Sequence, residues 1–132
     1  MSVAFARSKY RQTESTGAPE VESPYRVILV TLGELDKSLD LLCTAQETNV
    51  PFPDTHLNRC FTAIYILQSS LDFETGGALA TSLFQVYEYC RLQTLKAFRR
   101  EENPELAQAR TAIQGILSAW EEIGPQVEGA KS

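Results

Sequence analysis

Few residues in this 132-residue chain have the types and spacing that side-chain chemistry requires. His56 is the single histidine, and no HxxxH or ExxH spacing places a second ligand beside it on a helix face, so no zinc or di-iron site is indicated. It reads as a surface or cap-adjacent residue at the start of a helix rather than a catalytic base. Gly76-Gly77 falls far short of the GxxxxGK[ST] and GxGxxG phosphate loops. The acidic pairs Glu101-Glu102 and Glu121-Glu122 are adjacent, hence splayed around a helix turn, which suits solvation better than paired acid/base work. Cys43, Cys60 and Cys90 are odd in number, widely spaced and set among apolar residues. That pattern suits buried free thiols in a reducing compartment, not a disulfide framework or a zinc-ligand motif. The residues therefore point away from catalysis, and no cofactor or metal is expected.

The elements that would position any site follow from composition and pattern. A 43% hydrophobic, 22% charged chain of this length suits one globular domain. The net charge is −5, and the only basic pair, Arg99-Arg100, runs straight into Glu101-Glu102. Such a chain repels a phosphate backbone, so nucleic acid is not an expected partner. No apolar run approaches the roughly 20 residues that span a bilayer, and the opening MSVAFARSKYRQ lacks a signal-peptide core. No membrane insertion is expected, and the localisation that follows is cytosolic.

Residues 1–22 mix Ser, Thr, Gly, Pro and charge without a sustained period and read as a flexible arm. Ser23-Pro24 then marks a helix start: the hydroxyl accepts a free first-turn N–H, and proline lacks one that would have no partner. Ile28, Leu32, Leu35, Leu39 and Leu42 form the apolar face of a first helix reaching about Thr48. The β-branched run RVILVT at 26–31 could suit a strand, but a lone strand among helices has nothing to pair with. Asn49 to Pro53 break the pattern, and Asp54-Thr55 offer capping side chains for a second helix with Leu57, Phe61, Ile64, Tyr65 and Gln68 on one face, widened by Cys60, Leu67 and Leu71.

A third helix is expected from about Ala78 to Glu101, with Leu79, Leu83, Val86, Tyr87, Cys90, Thr94, Ala97 and Phe98 on its seam. Gly76-Gly77 would lie at its entry, where freedom in φ and the missing Cβ permit a tight turn. Asn103-Pro104 repeats the cap-plus-proline device, and Leu106, Ala109, Ile113, Ile116, Trp120 and Ile123 give a fourth helix that Gly124-Pro125 should stop. The expectation is an all-α fold: an antiparallel four-helix bundle over 23–124, a flexible arm over 1–22 and a tail over 125–132.

The third helix carries more apolar residues than one seam needs. On a wheel centred on Leu83, Phe84 falls at about 100°, Leu95 at about 120°, Tyr89 at about −120° and Leu92 at about 180°. Ile66 is likewise off the stripe of the second helix. Either neighbouring elements cover these groups, or a groove beside the helix waits for the apolar anchors of a partner.

The run SLDFETGGALATSLFQVYEYC at 70–90 resembles the motif succession of the flagellar secretion chaperone family, FliS, through Ser70, Leu71, Asp72, Glu74, Gly76, Gly77, Ala80, Leu83, Tyr87 and Tyr89. Ser23-Pro24 before a long apolar helix, Ala119-Trp120 with Ile123 near the end, and Tyr10 in the arm extend the likeness over roughly Ser23 to Ile123. The resemblance implies a cytosolic export chaperone whose apolar grooves hold the C-terminal segment of flagellin as separate helical pieces, preventing polymerisation before type III secretion. It also implies that the arm covers part of that surface in the free protein. Tyr10, Ile66, Phe84, Tyr89 and Leu92 are then the expected partner-facing residues, with no catalytic ones. Thr31-Leu32-Gly33 departs from the family's Leu-Tyr followed by an acidic residue or Asn. That departure leaves room for a second reading, a FliS-like adaptor or regulator binding another flagellar assembly factor.

Overall fold

A computed structural model describes residues 23–129. Four helices make up the described residues, with no strand among them: α1 (Pro24–Glu47), α2 (Asp54–Ser69), α3 (Phe73–Phe98) and α4 (Leu106–Gly129). Residues 26–31 are helical, as part of α1. Tyr10 and the rest of the expected arm lie outside the described residues.

The first helix starts as its sequence dictates. Ser23 Oγ accepts the Arg26 N–H at 3.0 Å, and Pro24 occupies the first turn. Leu32, Leu35, Leu39 and Leu42 are completely buried, and they meet Leu57, Cys60, Ile64 and Leu67 of α2 in one core with Tyr87, Cys90 and Ala97 of α3 and Leu106, Ala109 and Ile113 of α4. The hairpins run antiparallel. Tyr25 near the start of α1 meets Trp120 late in α4, while Asp36 and Asp40 meet Arg110 early in α4. Phe61 pairs with Phe98 and Gln68 with Glu88 across α2 and α3. Cys90 and Ala109 are joined across α3 and α4.

Several details depart from the sequence reading. The cap position of α2 is Pro53, which has no side-chain oxygen to offer, and Asp54 lies inside the first turn. The α2 seam is centred on Leu57, Cys60, Ile64 and Leu67, which leaves Tyr65 47% exposed. In α3 the seam runs through Ala80, Leu83, Tyr87, Cys90, Thr94 and Ala97, while Leu79 and Phe98 face out at 67% and 55% exposure. Wheel arithmetic gives the width of a stripe, but its centre depends on which neighbours pack against it.

The α4 boundaries also move. The helix begins at Leu106 rather than at Pro104. Its entry is held by side chains from other helices: Gln93 Oε1 accepts the Glu105 N–H at 2.8 Å, and Gln46 Nε2 donates to the Pro104 carbonyl at 2.9 Å. At the far end α4 passes through Gly124-Pro125 and continues to Gly129, so the stretch expected as a tail from 125 is helical that far. Proline bars the preceding residue from helical geometry partly by striking its Cβ, and Gly124 has none.

Candidate functional site

The sequence around Gly76-Gly77 builds a bent helix entry. Asp72 caps α3, its Oδ1 accepting the N–H groups of Glu74 and Thr75 at 3.0 and 3.1 Å, and the Thr75 hydroxyl donates to Oδ2 at 2.8 Å. These bonds hold the Asp72 carboxyl below the usual carboxylate range. Gly77 then takes φ 51° and ψ −126°, which breaks the helical run after its first turn. Side chains with a Cβ rarely occupy that conformation. Gly76 is needed for closeness: a Cβ there would lie 2.9 Å from the Ala80 Cβ.

The bend has a consequence at the surface. Phe73 and Phe84 are 11 positions apart, about 16 Å along a straight helix, yet their ring centroids are 6.0 Å apart at an interplanar angle of 61°. Both rings stay open to solvent, at 50% and 38% exposure.

The expected partner-facing residues do not converge on one place. Ile66 lines a cleft of about 520 Å³ between α1 and α2, together with the apolar Val30 and Ala63 and the charged Glu34 and Arg59. Phe84 is joined to Phe73 at the bent entry of α3. Leu92 is exposed, 8 positions further on and so turned about 80° around the helix from Phe84. Tyr89 packs against the core on the α4 side and donates its hydroxyl to Glu105 Oε1 at 2.6 Å. Burial and that carboxylate push the phenol up to about 12.

The motif residues are built into the scaffold. Ser23 and Pro24 start α1, Leu71 and Leu83 pack against the core, and Ala80 and Tyr87 are buried. Trp120 stacks on Tyr25 with ring centroids 5.6 Å apart. Burial pushes the Tyr87 phenol, like the thiols of Cys60 and Cys90, up to about 12. All three cysteines are free and buried. His56 is half-buried, with Nδ1 enclosed and unpaired. Among the described residues, no cluster of three His, Cys, Asp or Glu could hold a metal, and no helix is long and apolar enough to cross a membrane.

A second cleft, of about 380 Å³, lies between α2 and α3 and is lined by Phe61, Thr62, Tyr65, Gln68 and Arg91. Two of its lining residues meet Glu88, which accepts from Gln68 Nε2 at 3.1 Å and pairs with Arg91 through Nε at 2.8 Å and Nη2 at 2.5 Å. The Arg91 bonds, then the Gln68 bond, lower the Glu88 carboxyl to about 2. Sequence reading missed Val30, Tyr65, Phe73 and Phe98 as surface groups. The signal for Phe73 was its place before the glycine pair, which a straight wheel cannot use. Tyr65 and Phe98 needed a correctly centred stripe.

The apolar clefts on the helix flanks suit holding a segment of another chain. Comparison with known proteins agrees in kind. A flagellar secretion chaperone FliS of Vibrio cholerae is 25% identical over 118 residues, covering 89% of this chain and 87% of that one. The flagellar secretion chaperone FliSB of Pseudomonas aeruginosa is 24% identical over 119 residues, 89% of this chain and 94% of that one. A Salmonella typhimurium flagellar secretion chaperone FliS is 30% identical over 66 residues, about half of each chain. No solved structure gives a significant match. The model of the flagellar protein FliS matches residues 6–127. Because that match crosses all four helices and not one amphipathic stretch alone, the chain belongs to the FliS family of flagellar proteins.

Proposed function

We propose that this protein is a cytosolic export chaperone that holds the C-terminal segment of flagellin in the apolar clefts between its helices. Held there, the segment cannot polymerise before export through the flagellar type III apparatus. The observation that carries the reading is the α1/α2 cleft. Its apolar lining is Val30, Ile66 and the core member Ala63, and Val30 and Ile66 stand outside the core that the leucines close, so these two are free to meet a client. A client helix would lay its own apolar stripe there, with Glu34 and Arg59 at the rim. The chaperone names borne by the relatives support the same reading.

Isothermal titration with a peptide of the same organism's flagellin C-terminal segment tests it. Saturable binding with a dissociation constant on the order of micromolar or tighter is expected. No heat at tens of micromolar, with recovery of a different flagellar assembly factor from cell extract, would establish the adaptor reading instead.

A further inference from the structure

The first turn of α3 has little hold on the bundle. Residues 72–79 are all exposed, between Leu71, which packs against the core, and the buried Ala80. A helix that lies on a body buries a residue every three or four positions, and this stretch of about two turns buries none. Among the described residues its hydrogen bonds are local. Asp72 accepts from Glu74 and Thr75 through its side chain and from the Gly76 N–H through its carbonyl, at 2.8 Å. The Thr81 hydroxyl reaches back across the bend to the Gly77 carbonyl at 3.3 Å. Its ring contact with the rest of α3 is Phe73 set against Phe84, and neither ring belongs to the core.

Gly77 is the hinge that such a turn needs. Its φ of 51° and ψ of −126° interrupt a helix that resumes on the far side. Turning those two angles to helical values would run α3 unbroken from Phe73 and hold Phe73 about 16 Å along the axis from Phe84. The bent form has the ring pair, and the straight form has the continuous hydrogen-bond ladder. Between Leu71 and Ala80 no buried side chain has to leave the core for the change.

We propose that residues 73–76 are an autoinhibitory latch: bent, the turn sets Phe73 over Phe84, and straightened about Gly77 it frees Phe84 for an apolar side chain of the flagellin client. The inference rests on the chaperone reading given above. A client side chain on Phe84 replaces the contact that Phe73 gives up, so the client binds the straight form better and draws the population toward it. Holding most of the free chain bent lowers the apparent affinity in proportion.

The test uses the full chain, purified flagellin and two substitutions that open the latch by different means. Phe73→Ala removes the covering ring, while Gly77→Ala disfavours the bent backbone and leaves that ring in place. With para-fluorophenylalanine at 84, the fluorine resonance of the native chain should show exchange between two positions, and both substitutions should move it toward the same one. A Gly77→Ala resonance that stays at the native position overturns the inference. In calorimetry each variant should bind flagellin about two- to tenfold more tightly than the native chain. If Phe73 only adds apolar surface for the client, Phe73→Ala binds more weakly. That result, or unchanged affinity in both variants, overturns the inference and leaves the chaperone reading standing. Failure of the native chain and both variants to bind flagellin overturns both.

Discussion

Tyr25 and Trp120, 95 positions apart, bond to each other's backbone: the Tyr25 hydroxyl donates to the Trp120 carbonyl at 2.7 Å, and Trp120 Nε1 donates to the Tyr25 carbonyl at 3.1 Å. Their rings stack within 7° of parallel. Gly124, one turn beyond Trp120, completes the fit, because a Cβ there would lie 2.8 Å from Tyr25 Cζ. Tyr25→Phe removes one hydrogen bond and should cost about 1 kcal/mol in urea unfolding. Gly124→Ala should cost more, about 1–3 kcal/mol, because the added methyl displaces the ring and disturbs both bonds. A neutral Gly124→Ala would show that the contact is loose.

Two glycines in helices should respond oppositely to the same substitution. At Gly33 nothing lies within 4 Å of an added Cβ, so Gly33→Ala should stabilise by about 0.5–1 kcal/mol through helix propensity. At Gly77 the space is equally open but φ is +51°. Gly77→Ala should therefore destabilise by roughly 1–3 kcal/mol. Thermal melts of the two variants, moving in opposite directions from the native midpoint, check the assignment.

Glu88 links stability to acid. Its carboxyl falls from the ordinary 4.5 to about 2, chiefly through Arg91 and then Gln68. A depressed folded-state value means that the contribution is present above about 4.5 and is lost as pH falls through about 2. The pair is about one-third exposed, so the contribution is below about 1 kcal/mol. The native chain should melt slightly above Glu88→Gln at pH 6, and the gap should close by pH 2. A gap that widens in acid would contradict the pairing.

Arg100 sits at the end of α3 with φ 59°, its N–H bonded to Ala97 O and that of Glu101 to Lys96 O. This is the left-handed helix stop that glycine usually supplies. Arg100→Gly should stabilise by about 0.5–1 kcal/mol, read as a higher urea midpoint with an unchanged slope. A lower midpoint would mean that the arginine side chain contributes more than its backbone costs.

The helices themselves were legible because each carries its own signals. Ser23-Pro24 states a start, and the leucines of α1 state a buried face without reference to anything else. Leu32, Leu35, Leu39 and Leu42 became the centre of the core as their spacing required. What failed were statements that depend on a neighbour. Asn103-Pro104 looked like a cap, but α4 begins later because Gln93 from α3 and Gln46 from α1 hold its entry. Gly124-Pro125 looked like a stop, yet the glycine serves the Tyr25 ring and removes the Cβ that would have collided with the proline.

The candidate surface divides in the same way. An excess of apolar residues around α3 could be counted from the wheel, and Phe84 and Leu92 are indeed open to solvent. Tyr89 shared that excess, but Glu105 of the segment before α4 claims its hydroxyl. The sequence by itself determined the helix content, the order of the elements and the existence of surplus apolar side chains, because local periodicity and capping act within a few residues. Only the tertiary structure decided which of those side chains share a groove, because that depends on the bend at Gly77 and on where each stripe is centred. It brings Phe73 to Phe84 and Phe61 to Phe98, through contacts between residues that no local pattern connects.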